Sequence, residues 1–412
     1  MRDLLLNDEF WEKAYTRLSV KTNLSAEDKR NLYEIYAFKR EEVVNSLLDG
    51  SYAWATPSKV KIAKRGTKKK RVVYIYPIKD RIVQGVLYRF LNRYYSKCFE
   101  SNCYSYKEGV STSSTIRYIR DCTQGNNYHA VKVDIHAYFN SVSKDRLVEM
   151  LDELNLPSGL DASLRNLMLS ERVLDKGVEL SEYRGLCPGS PVASFFANYC
   201  LRECDKWFKD NSIIYARYSD DIIILDEKLE IVELGLKTLQ SYLAKYSLTI
   251  NEDKFTWFDP SMNVEFLGLK LRSDNKIDIS DHAKKKIKKQ IHRWCRKGRV
   301  RIEKDYVPFE IVAEDIFRRL NNKNFKCYIR NEGTFGWCHY AFRYITTTDS
   351  LREIDYYLKD TMRAMYTGKH NKANARHLQN GELEALGYVS LVDLFNLYHD
   401  DFDYYCEVIE LI

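Results

Sequence analysis

Two adjacent carboxylates, Asp220 and Asp221, interrupt an otherwise apolar stretch, Tyr215-Ala-Arg-Tyr-Ser-Asp-Asp-Ile-Ile-Ile-Leu225. An apolar run before the pair and a β-branched run after it read as a hairpin with the acids at its turn. At the tip of a rigid hairpin, aspartates can be held in one geometry without being buried unpaired, which is what a divalent-cation site requires. One hairpin is not enough. Metal-assisted phosphoryl chemistry commonly uses two ions roughly 3.5–4 Å apart, bridged by carboxylates from more than one strand. A third acid is therefore expected at the end of another apolar strand, and His129-Ala-Val-Lys-Val-Asp-Ile-His-Ala-Tyr-Phe139 supplies one, running β-prone residues into Asp134.

Charge points to the same kind of partner. The 412 residues carry a net +7, but the positive charge is concentrated in two runs without acids. Lys59 to Arg71 holds eight Lys/Arg and Lys284 to Arg301 holds ten. With these set aside the rest of the chain is net acidic. A phosphate polymer accounts for such segregation better than a small acidic ligand does, and two solvated faces are the plain alternative. Ten cysteines are scattered without a Cys-x-x-Cys pair, which argues against structural zinc and a disulfide framework. The N-terminus alternates acids with leucines, and no apolar stretch reaches about 18 residues, so neither export nor a membrane is expected and the cytoplasm is the natural compartment.

Along the chain, Ser25 precedes a helical pattern through Leu32, Ile35, Tyr36, Val43, Val44 and Leu47. Lys61 to Pro77 reads as a basic β-hairpin turning at Gly66-Thr67. Lys79-Asp-Arg-Ile-Val-Gln84 then opens an amphipathic helix that Asp80 is placed to cap. A helix starting at Ser143 follows the Asp134 strand. In Gly185-Leu-Cys-Pro-Gly-Ser-Pro191, Ser190 and Pro191 start a further helix, and Gly185 and Gly189 allow close approach of a ligand. Ala283 to Arg301 places Ile287, Ile291 and Trp294 on one stripe among basic residues. Tyr398-His-Asp-Asp401 repeats the acid pair at the end of a helical pattern without a β-branched hairpin, and is read as a polar helix end.

Asp134 with Tyr218-Ser-Asp-Asp221, Asp80-Arg-Ile-Val-Gln84, the Gly185–Pro191 segment, Leu248-Thr-Ile-Asn-Glu-Asp-Lys-Phe255 and Val264-Glu-Phe-Leu-Gly-Leu-Lys270, in this order, resemble the motifs of reverse transcriptases. The likeness is to bacterial ones related to group II intron, retron and phage-defence enzymes, and it covers roughly residues 60 to 272. It implies a mixed α/β (α+β) fold, a right-hand polymerase with a ferredoxin-like palm, fingers and a helical thumb with a C-terminal region. The expected divisions are 1–130 for N-terminal helices and fingers (joined by part of 155–185), 131–272 for the palm and 273–412 for the thumb and C-terminal extension.

By the same resemblance, Asp134, Asp220, Asp221 and Lys254 carry catalysis, Lys254 as proton donor to the leaving pyrophosphate. Asp134, Ile135, Asp220 and Asp221 hold two Mg2+ ions, for which Mn2+ can substitute. Arg71, then Lys70 or Lys69, meets the triphosphate, with Gly189 and Phe139 also at the nucleotide and Phe139 under its sugar. Arg81, Tyr218, Lys285, Lys288, Lys289 and Arg293 contact nucleic acid. The Cys103-Tyr-Ser-Tyr-Lys-Glu-Gly109 element supports the template or simply packs. The implied partners are an RNA template, a DNA or RNA primer, deoxyribonucleoside triphosphates and, as a further option, a dedicated noncoding RNA. Cys187 and Pro188 stand where the family commonly has Pro and Gln. The alternatives are an RNA-binding protein on a polymerase fold, a template-independent polymerase, and an RNA-synthesising polymerase. The last usually has an acid where this chain has Phe139, and a binding module gains nothing from three clustered acids beside a polyanion.

Overall fold

The computed structural model describes all residues except 21–23, 64–69, 108, 111, 124–127, 326–327, 331–332, 372 and 412. It divides into two compact units, Met1–Pro260 and Ser261–Ile412. The Phe-Leu-Gly element, grouped with the palm in the sequence reading, belongs to the second unit.

The described strands of the first unit are β1 (Ser58–Ala63), β2 (Lys70–Ile75), β3 (His129–Asp134), β4 (Arg172–Asp175), β5 (Val178–Ser181), β6 (Ile214–Tyr218), β7 (Asp221–Asp226) and β8 (Thr256–Phe258). They form two sheets, ordered β2-β1-β4-β5 and β6-β7-β3-β8. In the second, helices and the β4–β5 hairpin of the other sheet lie between β3 and β6, helices lie between β7 and β8, and a tight hairpin joins β6 to β7. Strand order and connections are those of a ferredoxin-like βαββαβ palm. Ile222, Ile223, Ile224 and Leu225 are all fully buried, so β7 is covered on both faces. Each such side chain stabilises the sheet by about 1.5–3 kcal/mol. The helix Leu229–Lys245 comes close because Gly235 lacks a side chain: a Cβ there would lie 3.0 Å from Ile224 and 3.1 Å from Phe208.

The helical pattern after Ser25 is broken in two at Lys39, giving Ala26–Phe38, capped by Ser25, and Arg40–Asp49. Asp8–Ser19 and Ala26–Phe38 pack on the long helix Ile78–Tyr94, whose Ile82, Val83, Val86, Leu87, Phe90 and Leu91 are buried, while Arg40–Asp49 packs on Ser158–Met168. Asp80 does not cap that helix. Its carboxylate is fully buried and accepts hydrogen bonds from the Tyr52 hydroxyl and the Ala55 amide, both at 2.9 Å. Fixing the preceding loop satisfies the charge better than a helix end that Pro77 already starts.

In the second unit, Val264–Phe266, Leu269–Leu271 and Ile277–Ile279 make a three-stranded antiparallel sheet. A 24-residue helix, Asp281–Lys304, follows with Ser280 as its N-cap. It packs through Ile291, Cys295 and Gly298 against Phe309–Phe325 and Asp349–Thr367. Among the described residues no helix is long and apolar enough to cross a membrane.

Candidate active site

The site begins with register. In the palm sheet Asp134 lies opposite Asp221, and Asp221 lies opposite Tyr218. Two residues, Ser219 and Asp220, turn the chain between β6 and β7. The Asp220 carbonyl accepts the Ile135 amide at 3.0 Å, tying the turn to the end of β3. Backbone pairing alone therefore brings the three aspartates to one corner of one sheet. Ser219 has φ +63°, a conformation that costs a non-glycine residue about 1–3 kcal/mol and persists only where surroundings impose it.

Electrostatics follow from this convergence. Asp134 is 2% exposed. Its Oδ1 accepts from Asn251 Nδ2 at 3.0 Å, its Oδ2 pairs with Lys254, and its main-chain carbonyl accepts the Asn251 amide at 2.8 Å. Burial pushes the Asp221 carboxyl up to about 6; Asp220 and Asp134 add to the rise, while Lys132 and Lys254 oppose it. Asp220 is raised too, by burial first and then by Asp134, against its own main-chain hydrogen bond, Lys254 and Ser219. Burial works against the Lys254 charge, but the hydrogen bond to Asp134 and the attraction of all three aspartates outweigh it and its pKa is raised.

Three mutually repelling carboxylates beside a main-chain oxygen at Ile135 form a hard oxygen donor set of the kind Mg2+ and Mn2+ take. The donor types these residues offer suit such an ion. Their side chains do not form a ready cage, however. Among the described residues no three His, Cys, Asp or Glu side chains are gathered so as to hold a metal, and the Asp134 carboxylate is engaged by Asn251 and Lys254. The expected metal set is present in sequence and register but not closed, and Lys254 rests on Asp134 rather than standing clear of the acids.

Behind the turn lies a buried polar cluster that sequence reading missed. Arg217 and Asp205 are both fully buried and joined by two hydrogen bonds, Nε to Oδ1 at 2.8 Å and Nη2 to Oδ2 at 2.5 Å. Tyr215 donates to the same carboxylate at 3.0 Å. Ser105 accepts the Ser219 amide at 2.9 Å and donates to Asn198 at 2.9 Å. The Tyr106 hydroxyl bonds the Ser219 hydroxyl at 3.1 Å. The segment around Cys103 thus runs beside β6, bridging Arg217, with the Tyr104 amide donating to the Arg217 carbonyl at 2.8 Å. It braces the acid turn. The signal available in the sequence was Arg217 itself: an arginine inside an apolar strand needs a buried acid somewhere.

On the nucleotide side, Tyr138 is buried with its hydroxyl on the Ala197 carbonyl, while Phe139 is half-buried and meets Tyr106 edge-on at 6.3 Å. Arg71 and Lys70 are exposed on opposite faces of β2, and Lys69 lies outside the described residues. The Arg71 charge reaches Tyr106. Burial raises the Tyr106 hydroxyl and Asp220 raises it further, against the bond to Ser219 and the charges of Arg217 and Arg71. Arg81 is half-buried with Asp28 and Arg17 of the N-terminal helices as its charged neighbours. Tyr218 is half-buried at the end of β6.

The glycines after β5 pack closely against main chain. Gly189, φ +115°, faces β2: a Cβ there would lie 2.5 Å from the Tyr74 carbonyl oxygen. At Gly185, φ +58°, it would lie 2.1 Å from the Phe139 carbonyl oxygen. Pro188 accepts the Tyr74 amide at 2.8 Å, so the loop joins hairpin and palm through main chain. The Ser190 hydroxyl makes no capping bond, although Ser190 stands at the N-cap of Pro191–Cys200.

In the second unit Lys285, Lys289 and Arg293 are exposed along the Asp281–Lys304 helix. Lys288 is not with them. It turns inward and pairs with Glu353 at 2.5 Å, beside Lys284 on the same carboxylate. Asp400 and Asp401 end the helix Leu391–Asp400, and Asp401 accepts the Tyr404 amide at 2.9 Å, as expected of a polar helix end.

A ferredoxin-like sheet with three aspartates at adjoining strand ends defines the chain as a palm-type polymerase fold. The chain belongs to the family described as reverse transcriptase (RNA-dependent DNA polymerase), matched over residues 62–271. It is 20% identical over 169 residues to the retron Ec83 reverse transcriptase of Escherichia coli, covering 39% of this chain and 54% of that protein. It is 23% identical over 185 residues to the group II intron-encoded protein LtrA of Lactococcus lactis subsp. cremoris, covering 45% and 31%. Fungal intron proteins are also similar, so the likeness is not confined to bacteria. A structure of telomerase from Candida albicans with a fragment of telomeric RNA aligns with a TM-score of 0.44 at 14% identity, covering 98% of this chain and 68% of that one. The chain spans about half or less of the length of the curated relatives it matches.

Proposed function

We propose that this protein is an RNA-directed DNA polymerase that extends a primer 3′-hydroxyl on an RNA template with deoxyribonucleoside triphosphates. The observation that carries this is the pairing of Asp134 with Asp221 and of Asp221 with Tyr218, which puts three acids where their repulsion favours a cation. Asp134, Asp220, Asp221 and the Ile135 main chain would hold Mg2+, which would supply the charge that activates the hydroxyl and neutralises the leaving pyrophosphate. The chain's own residues position and exclude. Arg71 meets the triphosphate from the hairpin side. Phe139, with Tyr106 against its edge, fills the space a ribose 2′-hydroxyl would need. Lys254, held on Asp134 in this structure, would be the ammonium that protonates the leaving pyrophosphate. Lys285, Lys289 and Arg293 contact the phosphate backbone. The same reading puts the protein in the cytoplasm, in a bacterial retroelement or phage-defence system, with a dedicated noncoding RNA as one source of template.

Labelled-nucleotide incorporation on an RNA template tests the proposal together with Asp220→Ala. The variant is expected to fold and bind nucleic acid but to incorporate nothing. Full activity in it overturns the assignment. An RNA-binding protein on the same fold would bind template in both forms and extend it in neither.

A further inference from the structure

We infer that Arg217, Asp205 and Ser105 are positioning residues that impose the strained turn at Ser219 and so fix where Asp220 and Asp221 point. The inference rests on the polymerase reading only for its consequence in catalysis; the geometry stands by itself. Ser219 immediately precedes the acid pair and holds φ +63° without being glycine. Both of its main-chain polar groups end on buried side chains: the amide on Ser105 Oγ at 2.9 Å, the carbonyl on Arg217 Nη1 at 3.3 Å. Neither anchor is free to move. Arg217 is held by Asp205 through two nitrogens, and Asp205 is held by the Tyr215 hydroxyl, with its own carbonyl receiving Asn102 Nδ2 at 2.8 Å. Ser105 is fixed from the other side, since Asn198 returns a bond from Nδ2 to the Ser105 carbonyl at 2.6 Å.

A fully buried ion pair is weak evidence for stability, because apolar residues of the same shape often do as well. Its value lies in direction. A guanidinium has donors left over after two bonds to a carboxylate, and here one of them reaches the turn carbonyl; an ammonium cannot span both in the same plane. The carboxylates that repel one another at the strand ends would otherwise spread apart, and the turn that carries Asp220 and leads into Asp221 is the element outside the strand ladder that could yield.

Two variants test this. Ser105→Ala removes one hydroxyl and leaves the ion pair; Arg217→Lys keeps the charge and loses the fork. In the metal-free protein, amide exchange at residues 219–222 is expected to quicken by about tenfold or more in each, with the Asp8–Ser19 helix, which bonds none of these residues, unchanged. On a template-primer, kcat is expected to fall by about tenfold or more while KM for the template-primer stays put. Unchanged exchange at the turn in a folded variant overturns the inference, as does faster exchange spread evenly over the palm, which marks loss of stability alone. If the wild type incorporates no nucleotide, the proposed activity fails, and the exchange measurement still decides the positioning role.

Discussion

Asp221 shows how one residue links fold to pH. Its carboxyl is held up near 6 by burial and by Asp220, against about 3.9 for an unfolded chain. Between those values the folded state binds the extra proton, so without metal this group makes the protein less stable as pH rises from about 4 to about 6. A divalent cation must displace the same proton. Magnesium affinity measured by calorimetry is therefore expected to weaken as pH falls through about 6, and Asp221→Asn is expected to lose most of that dependence. Global stability is the poorer readout, because Asp355 in the second unit is also raised to about 6, by burial. Phe139 offers a second test. Its half-buried ring lies edge-on to Tyr106, and under the proposed function it is the group that would leave a 2′-hydroxyl without room or a partner. Phe139→Ala is expected to raise ribonucleotide over deoxyribonucleotide incorporation by about tenfold or more, each tenfold being about 1.4 kcal/mol, in competitive single-nucleotide extension. An unchanged ratio in an active variant removes Phe139 from the sugar. The acids were legible because apolar strands do not carry charge without reason. Asp205, Ser105 and Asn198 were not, since only the tertiary fold brings them to Arg217 from three other segments.

Among elements, the loop from Gly185 to Ser190, read as a place for close ligand approach, also welds β2 to the palm through main chain. No pattern of residue types distinguishes the two uses of glycine, because both require only that a Cβ be absent. Gly189→Ala is expected to destabilise the protein by about 2 kcal/mol or more, from positive φ and the Tyr74 carbonyl together. Gly109→Ala, with positive φ but nothing within 4 Å, is expected to cost about 1 kcal/mol. Denaturant unfolding compares them, and equal losses would contradict the weld. The Asp281–Lys304 helix was legible as amphipathic and basic, but periodicity alone did not show which lysines face Glu353. Replacing Lys285, Lys289 and Arg293 by glutamine should weaken template-primer binding and reduce its salt slope by about 0.9 per lost phosphate contact. Lys288→Gln should leave the slope unchanged, since its partner is Glu353.

At the scale of the whole molecule, the order strand, helices, acid hairpin, helix, strand was readable in the sequence, and β3, the β6–β7 hairpin and β8 follow one another in that order along the chain, while side by side they lie as β6-β7-β3-β8. Periodicity and turn residues gave the elements, while the ferredoxin-like arrangement came from the resemblance to reverse transcriptases; β3 pairs with β7 and β8 and not with β6, so order along the chain alone does not give the sheet. The separation of charge into two basic runs on an acidic remainder was equally plain, yet part of it is spent internally: Lys59 pairs with Glu182 at 2.5 Å and Lys284 with Glu353 at 2.6 Å. The central claim is that this assembly copies RNA into DNA at the corner where Asp134, Asp220 and Asp221 meet. Primer extension on a defined RNA template, with the product sequenced, measures it directly. The account predicts DNA complementary to the template that requires Mg2+ or Mn2+ and vanishes in Asp220→Ala. Product that persists in Asp220→Ala, or no product from the wild type on any RNA template with either ion, would contradict it.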